Sequence, residues 1–192
     1  MHHTLKFYGG HRKATLRLYM FFAVWTRIPL LGRLVRRIAN AYGRNMHGVY
    51  LLTPKEAEEL LEITEGVATA ECTCRAIYGN CDNPKDNEIL LGPSEHIMLE
   101  AMHGDAREAT KEKAREVIQD SHRRGLILTI SKCREDFYAI CSCCSCCCVP
   151  MRLSKQYGIG DVLARHKNIV EEFREYQLNH RNEATANPGS RS

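Results

Sequence analysis

Residues 126–148 read LILTISKCREDFYAICSCCSCCC, and this stretch decides how the rest of the chain is understood. LILTIS (Leu126 to Ser131) and FYAIC (Phe137 to Cys141) are short runs rich in β-branched and aromatic residues, so two strands are expected, joined by KCRED. Six cysteines then fall within the eight positions 141–148. Core packing gives no reason for that density. Adjacent cysteines are also badly placed to bridge each other, and no secretory signal peptide opens the chain. The expected setting is therefore a reducing, cytoplasmic one, where a cysteine cluster means metal or redox chemistry.

Upstream of the hairpin, Thr110 is a natural helix cap. Ala114, Val117, Ile118 and Ser121 come next at helical spacing, and Gly125 gives a stop. A helix followed by a hairpin is similar in outline to a winged-helix fragment. Further upstream lies a second cysteine group, C-x-C-x6-C at Cys72, Cys74 and Cys81. With Cys141, Cys143, Cys144, Cys146, Cys147 and Cys148 it makes nine candidate ligands. Thiolates select zinc, copper(I) or iron–sulfur clusters, and two four-cysteine sites need eight. Neither group has the C-x2-C-x2-C-x3-C-P spacing of bacterial ferredoxins or the paired C-x2-C of a zinc ribbon. In an extended run, Cys141, Cys143 and Cys147 would face one way and Cys144, Cys146 and Cys148 the other; a folded loop would scramble this. Arg75, directly after a candidate ligand, can offset cluster charge or donate to sulfur. His96, His103 and His122 are not needed as ligands beside so many thiols. Cys133, alone in the turn, is as readily a small core hydrophobe as a spare ligand.

The remaining sequence supplies helices. Residues 1–13 read as a polar lead-in, and 14–42 as two helical pieces divided near Pro29. The second piece places Leu31, Leu34, Val35, Ile38 and Ala39 on one face, with Arg33, Arg36 and Arg37 elsewhere. Its arginine-bearing helix, residues 29–42, can pack on the core, lie on a membrane surface or dock a partner. Thr53, Pro54 and Glu56 form a capping-box signature, and VATA (Val67 to Ala70) leads as an extended segment into the first cysteines. Residues 79–88 are rich in turn formers, and a short helix is expected from Pro93 or Ser94 to Met102. Residues 161–182 read as a polar-faced helix and ATANPGSRS, from 184 to 192, as a disordered tail. The apolar run Leu18 to Trp25 is far shorter than the ~20 residues a membrane span requires. A formal charge of +4 makes a nucleic-acid partner a poor expectation. No phosphate loop, dinucleotide fingerprint or nucleophile elbow occurs.

These segments carry a resemblance. CTCRAIYGNCDNPKDNEILLG, the stretch around HRRGLILTISK, and ICSCCSCCCVPMRL are together similar to a family of 4Fe–4S-binding proteins of anaerobes. In that family C-x-C-R…C-x-x-P precedes a helix, a hairpin and I-C-x-C-C-x-C-C-C. The similarity reaches upstream through WTRIPLLGRLVRRIANAYGRNMHGVYLLT and so covers about residues 25–155. It marks the nine cysteines named above. Two departures stand out. Many relatives have a fourth cysteine in the first segment where this chain has Glu88, leaving that segment one ligand short unless Cys133 or a crowded cysteine supplies it. Many also continue into a ferredoxin domain that is lacking here, so electrons would leave through a separate ferredoxin or oxidoreductase.

The expectation is an α+β, mainly helical protein with a small β-hairpin next to a cysteine-rich metal site. A single domain over 1–183 would comprise N-terminal helices (14–66), a cysteine core (67–155) and a C-terminal helix (156–183). The expected function is one-electron transfer in anaerobic metabolism by one [4Fe–4S] cluster, or two. The alternatives are a zinc- or redox-sensing module of winged-helix type and an iron–sulfur enzyme with an open iron site at Glu88. Whether the protein is an enzyme stays open.

Overall fold

The computed structural model describes residues 3–186. Its helices are α1 (His3–Ala23), α2 (Leu31–Asn45), α3 (Pro54–Ile63), α4 (Thr73–Tyr78), α5 (Glu95–Ala101), α6 (Lys111–Arg123), α7 (Val149–Tyr157) and α8 (Ile169–Ala186). Its strands are β1 (His47–Leu51), β2 (Val67–Glu71), β3 (Asp86–Leu91), β4 (Ala106–Glu108), β5 (Ile127–Cys133), β6 (Asp136–Cys143) and β7 (Leu163–Ala164). The fold is α+β, as the sequence implies.

The hairpin is larger than expected in its consequences. β5 and β6 form the middle of a sheet ordered β4-β2-β3-β6-β5-β1-β7. Every neighbouring pair is antiparallel except β1 with β7. Alternation along each strand divides the side chains between two covered faces. Ile89, Leu91, Leu128, Ile130, Phe137 and Ile140 pack beneath α3, α6 and α8, against Leu60, Leu61, Ile118 and Phe173. Leu90, Tyr138 and Ala139 pack on the other face against Leu5 and Tyr8 of α1 and Met98 of α5. Flanked by β3 and β1 and covered on both sides, the hairpin leaves no free wing. This removes the structural basis for the winged-helix alternative.

A bulge in the hairpin sets which way the β6 cysteines face. The β5–β6 register shifts between Ser131 and Lys132, leaving Tyr138 unmatched. Beyond it, Ala139, Cys141 and Cys143 share the α1 face with Thr129 and Ser131, which bond their sulfurs.

Local signals account for several boundaries. The capping box at Thr53 and Glu56 is formed on both sides. Thr110 caps α6 by accepting from the Lys113 amide, and Gly125 turns the chain into β5 at φ +70°.

Other expectations are corrected. Residues 3–13 are not a polar lead-in but the first half of α1. Leu5, Tyr8, Gly9, Arg12, Leu16, Met20 and Ala23 make its buried side, a stripe disguised by a glycine and an arginine. At Gly9 a Cβ would sit 2.7 Å from the Ala101 Cβ, so α1 lies almost in contact with α5. The turn-rich segment 79–88 ends inside β3, and the last helix starts at Ile169 instead of 161. Residues 184–186 complete α8; the rest of the expected tail, 187–192, lies outside the described residues.

Candidate metal centre

The cysteines come together at the end of β6, where the chain turns from strand into α7. Cys141 and Cys143 are still on β6, Cys144 to Cys147 form a turn, and Cys148 is the residue before α7. Opposite them, Cys72 precedes α4, Cys74 lies in its first turn, and Cys81 sits in the loop after it. The turn scrambles the strict alternation of an extended run and sorts the sulfurs into two groups.

The first group is Cys81, Cys144, Cys146 and Cys147, whose sulfurs all lie within 4.8 Å of one another. Cys81 Sγ is 3.8 Å from Cys144 Sγ and 3.7 Å from Cys147 Sγ, and Cys146 to Cys147 is 3.8 Å. Backbone and amide donors surround it. The Asn80 N–H donates to Cys147 Sγ at 3.3 Å, and Asn83 Nδ2 donates to Cys81 Sγ at 3.4 Å. Some burial pushes the Cys81 thiol up, but the Asn83 donors and the neighbouring thiols outweigh it and bring it down to about 6. Cys146 is pushed up to about 12 by burial and by Cys144 and Cys81. Thiols crowded this closely cannot all ionise without a cation among them.

The second group is Cys72, Cys74, Cys143 and Cys148. It is looser than the first: the Cys74 thiol interacts with those of Cys148 and Cys72, and Cys148 with Cys143, but no three of these sulfurs lie within 4.8 Å of one another. The Val149 N–H, first of α7, donates to Cys74 Sγ at 3.4 Å. Contacts with Cys148 and Cys72, that amide and the Arg12 charge hold the Cys74 thiol well below the usual range despite burial. Cys148 and Cys72 go the other way, raised by their thiol neighbours and burial.

Arg75 stands between the groups. It is buried, donating through Nη1 to the Pro84 carbonyl at 2.6 Å and through Nη2 to the Ser142 carbonyl at 2.5 Å. Burial works against its charge, but Cys72 of one group and Cys144 and Cys81 of the other raise its pKa. Its Nε is buried with no hydrogen-bond partner among the described residues.

Cys141 adjoins the second group without completing it. It is paired across the sheet with Glu88, and Ser131 Oγ lies 3.6 Å from its sulfur. Glu88 is taken by Arg12, with Arg12 Nη2 2.5 Å from its carboxylate and both side chains buried. Burial pushes this carboxyl up while Arg12 pulls it down, and the pairing keeps Arg12 charged. Cys133 belongs to neither group. It packs among the α1-face core residues with its sulfur 3.3 Å from His47 Nε2, and burial pushes its thiol up to about 12. His96, His103 and His122 take no part in the four-thiol group.

Sequence reasoning missed Arg12, Asn80 and Asn83. Arg12 is hidden in a segment whose composition is that of a polar lead-in, and the asparagines carry only a turn signal. Comparison with protein-family models, curated proteins and solved structures finds no match to this chain.

Proposed function

We propose that this is an iron–sulfur electron-transfer protein in which the two four-cysteine groups each hold a metal centre. One observation carries the reading. Of the nine cysteines in the two sequence groups, four converge with their sulfurs within 4.8 Å of one another, four more form a looser chain of interacting thiols beside them, and the Arg75 charge acts on members of both. An all-thiolate donor set suits iron–sulfur or zinc, and the unpartnered Arg75 Nε suits a sulfide-rich anion beside it. When bound, such centres supply one-electron redox chemistry. The chain's own part is to hold the ligands, exclude water and supply positive charge. Cys143 and Cys144 are successive residues serving different groups, as are Cys147 and Cys148, so two centres would sit side by side. Electrons would be exchanged with a separate ferredoxin or oxidoreductase. This is also the reading that the resemblance to the 4Fe–4S-binding proteins of anaerobes implies.

Spacing favours a second reading at one site. A single ion with metal–sulfur bonds of about 2.3 Å places tetrahedral sulfurs about 3.8 Å apart. That matches the three separations of 3.7–3.8 Å in the Cys81 group, whose other pairs lie within 4.8 Å. A four-iron cluster would hold thiolates farther apart, and Cys81, on a half-exposed loop, would have to move outward. That group is therefore also suited to a lone zinc or iron ion. Glu88 has no place as an open-site ligand in either reading, because Arg12 occupies it.

Metal and acid-labile sulfide analysis of protein purified without oxygen decides between the readings. About eight irons and eight sulfides per chain support two clusters; about four of each with one further metal ion support a mixed pair. Zinc without sulfide discards the electron-transfer reading.

A further inference from the structure

We propose that α2 and the end of α1 dock flat on a membrane surface rich in anionic lipid. This goes beyond the metal reading and does not depend on it.

The first observation is a helix whose apolar face is only partly packed: Leu31, Val35 and Ala39 are half-buried, while Leu34 and Ile38 are exposed. α2 buries only Gly32 and Gly43, one near each end. A Cβ at Gly43 would lie 2.6 Å from Val162, and one at Gly32 would collide with the Thr26 carbonyl. The helix is thus pinned by two glycine contacts, by Arg36 donating to the Thr26 carbonyl and by Asn40 accepting from the Asp161 amide, while Leu34 and Ile38 stay exposed. Leu34 is 54 % exposed and Ile38 60 %, and both line a groove of about 660 Å³ between α1 and α2. Phe21, Phe22 and Trp25, in mutual ring contact, extend this apolar surface at the end of α1. Leu30, just before α2, is 86 % exposed with φ +67°, where glycine would fit the backbone better. Apolar surface this continuous marks an interaction site.

The second observation is charge. Residues 1–55 contain ten lysines and arginines and no aspartate or glutamate, while the rest of the chain is net acidic. Arg17, Arg33 and Arg37 are exposed, with no carboxylate in ion-pair reach among the described residues. Aromatic and leucine side chains beside unpaired arginines suit the boundary between acyl chains and anionic headgroups. A second copy of the chain would bring the same arginines face to face. Among the described residues no helix is long and apolar enough to cross a membrane, which agrees with a surface-lying one. The groove also reaches Cys74, Cys143 and Cys148, so docking would turn its mouth toward the lipid.

Trp25 is the only tryptophan and reports on the contact directly. The full-length, metal-loaded protein is mixed with phosphatidylglycerol–phosphatidylcholine vesicles and its emission followed. The expected result is a blue shift, quenching by lipids brominated on the acyl chains, and release at about 0.5 M salt, where charges are screened within a few ångströms. Arg33→Glu with Arg37→Glu should weaken co-sedimentation by at least about tenfold at unchanged far-UV circular dichroism. Ile38→Ser, at an exposed position, should reduce the quenching alone. Three results would each overturn the proposal: no shift with anionic vesicles, an equal response to pure phosphatidylcholine, or a concentration-dependent shift with dimer mass in the absence of lipid.

Discussion

Cys147 and Cys148 are bonded neighbours in the chain, yet their sulfurs serve different groups, one with Cys81 and the other with Cys74. The turn at 144–147 makes this division, and it makes the two sites separable by mutation. Cys147→Ser should cost the Cys81-group metal and spare the other; Cys148→Ser should do the reverse. Each is expected to remove about half of the bound centres, because three thiolates hold a metal far less well than four. Metal analysis and the visible spectrum of each variant check this. Loss of all metal in both variants would mean that the eight thiols act as one site.

Arg75 does two things that a pair of substitutions separates. It ties the Pro84 and Ser142 carbonyls together, and it places a positive charge among the thiols. Arg75→Gln removes both and should destabilise the fold by about 2–4 kcal/mol, since buried carbonyls lose donors. It should also make the reduction potential of the adjoining centre more negative. Arg75→Lys keeps the charge without the fork, so it should restore most of the potential and little of the stability. Voltammetry and urea denaturation give the two readouts. A potential that moves equally in both variants would remove the charge argument.

The parts of this fold legible in the sequence were those set by short-range chemistry. Thr53 with Glu56, Thr110 and Gly125 announce boundaries because caps and left-handed turns act within a few residues. The hairpin was legible from its strand-forming runs. Its place in a seven-stranded sheet was not, because β1, β4 and β7 are short and gain stability only from partners distant in sequence. The same limit applied at the site. Cysteine spacing identified the nine thiols but could not divide them, since the division depends on a bulge near Tyr138 and on a turn. Arg12 escaped notice because its partner, Glu88, is 76 residues away.

The Arg12–Glu88 pair tests whether Glu88 is a ligand or a strut. Both groups are buried, so removing one leaves an uncompensated charge; Arg12→Met alone should cost about 3–5 kcal/mol. The double variant Arg12→Met with Glu88→Leu should recover most of that loss and keep the full metal content. If the double variant binds less metal at comparable stability, Glu88 contributes to the centre after all.

His47 gives the protein a pH dependence of its own. Its ring meets Tyr8, Tyr19, Tyr42 and Cys133, with no carboxylate among them, and burial holds its pKa down at about 4. The unfolded chain returns it to about 6.5. Above that value both states are neutral and His47 adds no dependence. Between about 6.5 and 4 only the unfolded state takes up the proton, so stability falls as pH falls through this window. His47→Phe removes the titration, and its denaturation midpoint should drop less than that of the unaltered protein between pH 7.5 and 5. Acid loss of thiolate-bound metal is common to both proteins and cancels in the comparison. Equal drops would show that the ring accepts a proton in the folded state, with the Tyr19 hydroxyl, 3.4 Å from its Nδ1, helping to stabilise it.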